Sequence, residues 1–469
     1  MTNRVVKLGG ILGLAGMLAT PLPAAAQMFN PTTYTLSNGM QVVVVENHRA
    51  PIVTQMVWYK VGSADEVPGK SGLAHLLEHM MFKGTSAVPA GEFSKTVARA
   101  GGRDNAFTAQ DYTAYYEEVA ADRLELAMKL DSDRMHNLSF DQHDFDTERS
   151  VVLEERRMRT DNNPGALLYE RMEAALFLNS PYHRPVIGWM REIERLTRDD
   201  ALEFYHRWYA PNNAVLVVAG DVQPQQVEAL AEKYYGPIPR ADTPVRDRLK
   251  EPEQVAPRRV TLHDPRVEQP ALSRLYLAPS YHYGDQDLGA ADSAYAIEVL
   301  SEILGGGPTS RLYKALVVKQ VLASSAGASY DPTAWDYGTF SVAATPRQGV
   351  DLDKLQRALD KELDQVLSQG ISAEEVAQAK ERLKASVAYA KDSVQTGAHV
   401  LGEALCTGQT PADVEDWPKR IAAVTPEQVN AAARKVLDRR WSVTGRLLPE
   451  TPRPGAAPLP PIESSREIR

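Results

Sequence analysis

Two stretches of this chain, 228 positions apart, read alike. LTRDDALEFYHRWYAPNNAVLVVAGDV from Leu196 and VTPEQVNAAARKVLDRRWSVTGRLL from Val424 each give a helix, a break and an apolar strand. An offset of about half of 469 residues points to two copies of one α+β unit rather than one enlarged core. Element order repeats accordingly. In the first half, strands are expected at 41–46, 52–61, 105–109, 113–119 and 214–219, with helices at about 71–82, 91–99, 121–135 and 144–159. The strand at 214–219 is almost wholly Val, Leu and Ala, so both its faces should be buried. A polar, Pro-rich stretch at 237–257 reads as a linker. Beyond it follow a strand (271–278), helices (290–304, 309–318), two strands (323–330, 338–344), several helices and a last strand (441–447).

The ends are expected to stand outside these units. Arg4 and Lys7, an apolar run to Leu22 and Ala24-Ala25-Ala26 have the layout of a secretory signal peptide cleaved after Ala26. The run is short and carries Gly and Pro, which disfavours a membrane anchor. The expected division is a leader at 1–26, a first domain at 27–240, a linker at 241–258, a second domain at 259–448 and a disordered Pro-rich tail at 449–469. A mature chain outside the cytoplasm, periplasmic or otherwise secreted and not inserted in a membrane, follows. Cys406 is the single cysteine, so no intrachain disulfide forms and two large cores must supply the stability. The net charge is −9, or −11 without Arg4 and Lys7, and no basic tract is interleaved with aromatics. That argues against nucleic-acid binding.

The chemistry sits in GLAHLLEHMMFKGT, starting at Gly72. His75, Glu78 and His79 form H-x-x-E-H. On a helix, positions i and i+4 lie about 40° apart, so both imidazoles can face one ion, and Glu78 shares that face. Neutral imidazoles suit zinc, and a carboxylate beside the open position can accept a proton from water. The bland alternative is two surface histidines and a solvated Glu. The apolar neighbours Leu73, Leu76, Leu77 and Met80 oppose it, since they bury the helix and unpartnered polar groups are costly there.

Tetrahedral zinc requires a third protein ligand. Glu148 and Glu155 lie two turns apart on one face of ERSVVLEERRMR, whereas Glu154 is rotated away into the solvated run 154–159. Spacing alone does not tie this helix to His75, and on geometry alone these acids read as ordinary surface ion pairs.

GLAHLLEHMMFKGT and ERSVVLEE, with GGRDNAFTAQDYTAYY, SPYHRPVIGW and YAPNNAVLVVAGDV, resemble segments of the pitrilysin-type inverted-motif zinc metallopeptidases. The resemblance is to the half-length subunits that include mitochondrial processing peptidase. It implies one zinc ion per chain held by His75, His79 and Glu155, with Glu148 in support and Glu78 as general base. It also implies two homologous α/β-sandwich domains forming half of a clamshell chamber, and extended peptide substrate pairing as an added strand at Asn105 and Ala106. The second half carries no copy of the motif: its counterpart helix reads AIEVLSEIL from Ala296. Where many relatives carry a substrate-contacting Arg and Tyr, LVVKQVLASS places Val317 and Ser324. A paralogous subunit without zinc that supplies that pair is the expected partner, and a second copy of this chain comes next. The rival function is a non-catalytic structural or assembly subunit of the same fold. Two other features carry no chemistry: Gly305-Gly306-Gly307 is read as opening the next helix or as a hinge, and His183 as a packed or surface residue; Arg311 in SRLY matches a position of that family, with no role readable from spacing.

Overall fold

The computed structural model describes residues 28–390 and 393–450, so the expected leader and the tail from 451 onward lie outside the described residues. Two mixed sheets organise the chain. The first contains β1 (Thr32–Thr35), β2 (Gln41–Glu46), β3 (Ile52–Tyr59), β4 (Arg103–Thr108), β5 (Thr113–Ala120) and β6 (Ala214–Gly220), in the order β1-β2-β6-β3-β5-β4. The second contains β7 (Arg258–Asp264), β8 (Ala271–Ala278), β9 (Ala323–Asp331), β10 (Gly338–Pro346) and β11 (Ser442–Pro449), in the order β7-β11-β8-β10-β9. Apart from β1, the two orders superpose strand for strand. β6 runs parallel to β2 and antiparallel to β3, and β11 repeats this with β7 and β8.

The repeat extends to single residues. Thr197 and Thr425, 228 positions apart, cap the helices Arg198–Trp208 and Pro426–Val436 with the same reciprocal box, through Asp200 and Gln428. Ala214 and Ser442, which open β6 and β11, are separated by the same interval.

The central strands β6, β3 and β8 are buried on both faces over most of their length, which accounts for the unbroken apolar run of β6. On one face of the first sheet Val42, Val44, Val57, Leu216 and Val218 pack against the helices Leu73–Met80, Leu124–Asn137 and Pro224–Tyr234. On its other face Val43, Trp58, Val215 and Val217 meet Ala398, Leu401 and Leu405 of the helix Val394–Cys406, which belongs to the second half. The second sheet receives the converse: Leu275, Leu277 and Val443 pack against Leu168, Met172 and Leu176 of the helix Pro164–Leu176. The expected division at 241–258 therefore separates the sheets but not their coverings, because the halves exchange one helix each. Glycines make the close approaches: a Cβ on Gly402 would lie 2.1 Å from the Trp58 ring, and one on Gly445 2.0 Å from Met172 Sδ.

The linker departs from the ordinary pattern of a polar connector. Arg246 and Arg248 turn inward, where Arg246 meets Asp65 at 3.3 Å and Arg248 bridges Asp65, Asp111 and Asp336, while Val245 and Leu249 face solvent. Gly305 ends the helix Ala294–Gly305 rather than opening the next one, because a side chain there would collide with the Ala328 backbone. Among the described residues no helix is long and apolar enough to cross a membrane.

Candidate metal centre

The helix Leu73–Met80 begins at Gly72, whose φ of 87° is left-handed and whose missing Cβ would fall 2.6 Å from the Ile187 carbonyl oxygen. Leu73, Leu76, Leu77 and Met80 bury one side of it. His75, Glu78 and His79 therefore face the helix Gln142–Arg156, which Asp141 caps by accepting the Asp144 N–H at 2.9 Å.

The two helices bring their expected residues together. His75 Nε2 lies 3.8 Å and His79 Nε2 3.3 Å from the same oxygen, Glu155 Oε2. One ligand atom from each of the three residues lies within 4.8 Å of the others, the only such His/Cys/Asp/Glu group among the described residues. Donors bound at zinc distances around a tetrahedral ion stand roughly 3.3 Å apart, so two imidazoles and one carboxylate fit that metal in number, chemistry and spacing. Glu148 lies behind His79, with Oε2 3.1 Å from Nδ1, and its other oxygen is 2.5 Å from Lys83 Nζ. Such a carboxylate fixes the ring that it holds. His75 Nδ1 is buried and finds no hydrogen-bond partner among the described residues.

Without metal, the two rings are driven apart electrostatically. Burial, and then the neighbouring His79, push the His75 pKa down to about 4. Burial also opposes the charge on His79, but hydrogen bonds to Glu148 and Glu155 outweigh it and raise that pKa to about 9. Burial likewise works against ionised Glu155 and Glu148, yet His79 and the adjacent cations hold both below the usual carboxylate range. Glu78 goes the other way: burial raises its pKa, against the Thr108 hydroxyl, which donates to Oε2 at 2.5 Å.

Thr108 closes β4, the outermost strand of the first sheet, so one edge of that strand is free beside Glu78. Asn105 and Ala106 lie on β4, opposite Tyr116 and Tyr115. The Ala106 N–H is held at 2.8 Å by the Asn105 side chain, where a strand added to the free edge would compete for it.

Three contacts at the site escape a reading by motif. Thr108 and Lys83 are legible only once the strand and helix are placed. Arg159 lies four residues after Glu155, and its guanidinium stands 2.8 Å from Glu155 Oε1. The expectation of a helix continuous over 144–159, with a solvated run at 154–159, also needs correction. The α-helix stops at Arg156, and Arg157–Asp161 form a π-helical turn. Arg156 is buried, bonded to Glu170 at 2.8 Å and to the Gly188 carbonyl at 2.7 Å. Val317 lies in the π-helical segment Tyr313–Lys319, buried, and Ser324 lies on β9 with its hydroxyl on the carbonyls of Thr345 and Pro346. Arg311 is tied to Glu375 and to the Gly370 carbonyl, and His183 Nδ1 to the Ser180 carbonyl.

Comparison with known proteins agrees with this architecture. Residues 41–188 match the family model described as insulinase (peptidase family M16), and residues 195–383 match the one described as the peptidase M16 inactive domain. A protein of Helicobacter pylori named zinc protease PqqE is 36% identical over 359 residues, covering 74% of this chain and 78% of that protein. An uncharacterized zinc protease of Streptomyces coelicolor is 33% identical, covering 87% of this chain and 88% of the relative. The solved structure of a protease from Helicobacter pylori superposes with a TM-score of 0.83 at 31% identity, covering 89% of this chain and 99% of that one. The chain belongs to the insulinase family of M16, pitrilysin-like zinc-protease homologues, with a second half of the inactive-domain type.

Proposed function

We propose that this chain is a zinc-dependent endopeptidase that hydrolyses extended peptides or unfolded segments. The observation that carries the reading is the convergence of His75, His79 and Glu155 on one point, with buried Glu78 beside it. His75 and His79 would hold the ion through Nε2, Glu155 would complete the set, and Glu148 orients His79. A zinc ion held there supplies Lewis acidity, making an attacking water more acidic and the scissile carbonyl more electrophilic. Glu78 takes the water's proton and returns it to the leaving amine. Its burial raises its proton affinity, and the Thr108 hydroxyl fixes the carboxylate's orientation. The free edge of β4 lets Asn105 and Ala106 pair with substrate backbone, which recognises extended conformation ahead of side-chain identity.

The chain acts as the zinc-bearing subunit of a dimer. Val317 and Ser324 offer no guanidinium or phenol, so a paralogous subunit without zinc supplies them; a homodimer is the second arrangement. The signal-peptide layout of residues 1–26 supports a location outside the cytoplasm.

The test is metal analysis with peptide cleavage by wild type and Glu78→Gln. One zinc per chain, cleavage abolished by a chelator, and a Glu78→Gln protein that keeps zinc but loses turnover support the reading. Normal turnover by Glu78→Gln sinks it. A zinc-free chain that still assembles with a partner favours the structural-subunit alternative.

A further inference from the structure

The second half offers no guanidinium at Val317, and Arg311 is committed to Glu375 and the Gly370 carbonyl. A guanidinium nevertheless stands at the metal centre, supplied by the zinc-bearing half. Arg159 is carried on the π-helical turn Arg157–Asp161, which directly continues the helix bearing Glu148 and Glu155. The turn is anchored from beneath, since buried Arg156 grips Glu170 and lies 3.4 Å from Asp161. Glu155 divides its oxygens: Oε2 faces both histidines, and Oε1 lies 2.8 Å from Arg159 Nη1.

That contact occupies one side of the guanidinium. The Arg159 side chain is 66% exposed, so donors beyond the one on Glu155 are open to solvent beside that ligand. Its charge also acts on His75 and on Glu78. A peptide bond cleaved at an ion that Glu155 helps to hold would lie close to this cation. A planar fork of donors in that position suits a carboxylate, and charge-assisted, bidentate pairing is the strongest polar contact it can make.

We propose that Arg159 is a specificity-determining residue that selects peptides carrying Asp or Glu close to the scissile bond. The inference rests on the endopeptidase reading and adds a substrate class to it. The alternative role for Arg159 is positional, confined to steadying Glu155.

The test uses one quenched peptide in three versions, with Glu, Gln or Lys beside the cleaved bond, and compares kcat/KM within each enzyme variant. A ratio within one variant is independent of how much of that preparation carries zinc. Wild type is expected to favour Glu over Gln by roughly tenfold, the scale of a hydrogen bond to a charged group. Arg159→Ala should abolish the preference, Arg159→Lys keep part of it, and Arg159→Glu shift it to the Lys peptide. Equal rates on Glu and Gln peptides in wild type, or a preference unchanged in Arg159→Ala, overturn the proposal and leave the positional role.

Binding is read separately by fluorescence anisotropy in the Glu78→Gln protein with and without Arg159→Ala. A Glu-over-Gln affinity ratio that disappears with Arg159 supports the inference even if no peptide is cleaved, the result that would sink the endopeptidase reading alone. No difference in affinity between the two peptides counts against it.

Discussion

Glu148 Oε2 stands 3.1 Å from His79 Nδ1, on the opposite side of the ring from Glu155, while Lys83 occupies the other Glu148 oxygen. The carboxylate therefore sets which nitrogen of His79 is presented to the ion and adds basicity to it. Glu148→Gln keeps the shape but loses the charge that Lys83 and His79 share. Zinc affinity is expected to fall roughly 10–100-fold, the usual cost of removing such a support. Competition with a chromogenic chelator measures it. Unchanged affinity would show that His79 is oriented by packing alone.

The exchanged helices make a second prediction. Trp58 is fully buried against the helix Val394–Cys406, and Gly402 leaves the only room for its indole ring. Gly402→Ala pushes a methyl into that ring, although alanine is the better helix former. Overpacking of this kind costs about 1–3 kcal/mol, more than the propensity gain of about 1 kcal/mol. Chemical denaturation should show a net loss of stability; a gain would mean that the helix shifts freely on the first sheet.

Val321 has a φ of 56°, a left-handed conformation that a β-branched residue adopts at a cost. It joins the segment Tyr313–Lys319 to β9 with its side chain half exposed, so little packing is lost on truncation. Val321→Gly relieves about 1–2 kcal/mol of strain and restores less than that in chain entropy to the unfolded state. The expected result is stabilisation by about 0.5–1 kcal/mol in a denaturant titration. A destabilised variant would show that the valine side chain contributes contacts exceeding the strain.

How much of this was legible before folding differs from element to element. His75, Glu78 and His79 are tied to one another by helical periodicity, so their convergence follows from local geometry alone. Glu155 is not tied to them, because no local rule says which helix packs against Leu73–Met80; only a resemblance across several segments selected it. The same reason hides the exchange of Pro164–Leu176 and Val394–Cys406, since an apolar helix face does not specify its sheet. β1 and β7 are not legible because Thr32–Thr35 is short and polar and Arg258–Asp264 is an edge strand whose Val260 and Leu262 alternate with charged and polar residues. The π-helical turn at Arg157–Asp161 was read as continuous helix because periodicity tolerates one extra residue. The inward turn of Arg246 and Arg248 within the expected linker is not legible either, because their partners Asp65, Asp111 and Asp336 are distant in sequence.

Glu66 gives the last prediction, a pH dependence. It lies before the helix Leu73–Met80 and accepts the Ala74 N–H on Oε1 at 2.9 Å, while buried Oε2 has no hydrogen-bond partner among the described residues. Burial raises its pKa to about 8, overriding the backbone hydrogen bond from Ala74 and the nearby Arg184. The fold thus holds a proton that the unfolded chain releases near the ordinary value of 4.5. Because the native state binds more protons across that window, stability falls as pH rises from about 4.5 to about 8 and levels off above it. The slope is bounded by about 1.4 kcal/mol per pH unit. Glu66→Gln keeps the acceptor for Ala74 and places a neutral amide where the protonated oxygen stood. It should flatten this part of the stability profile and be more stable than wild type at pH 8. Denaturation at pH 5 and pH 8 decides the matter: if the variant loses stability equally at both, Glu66 is ionised in the fold and serves as an anionic cap on the helix.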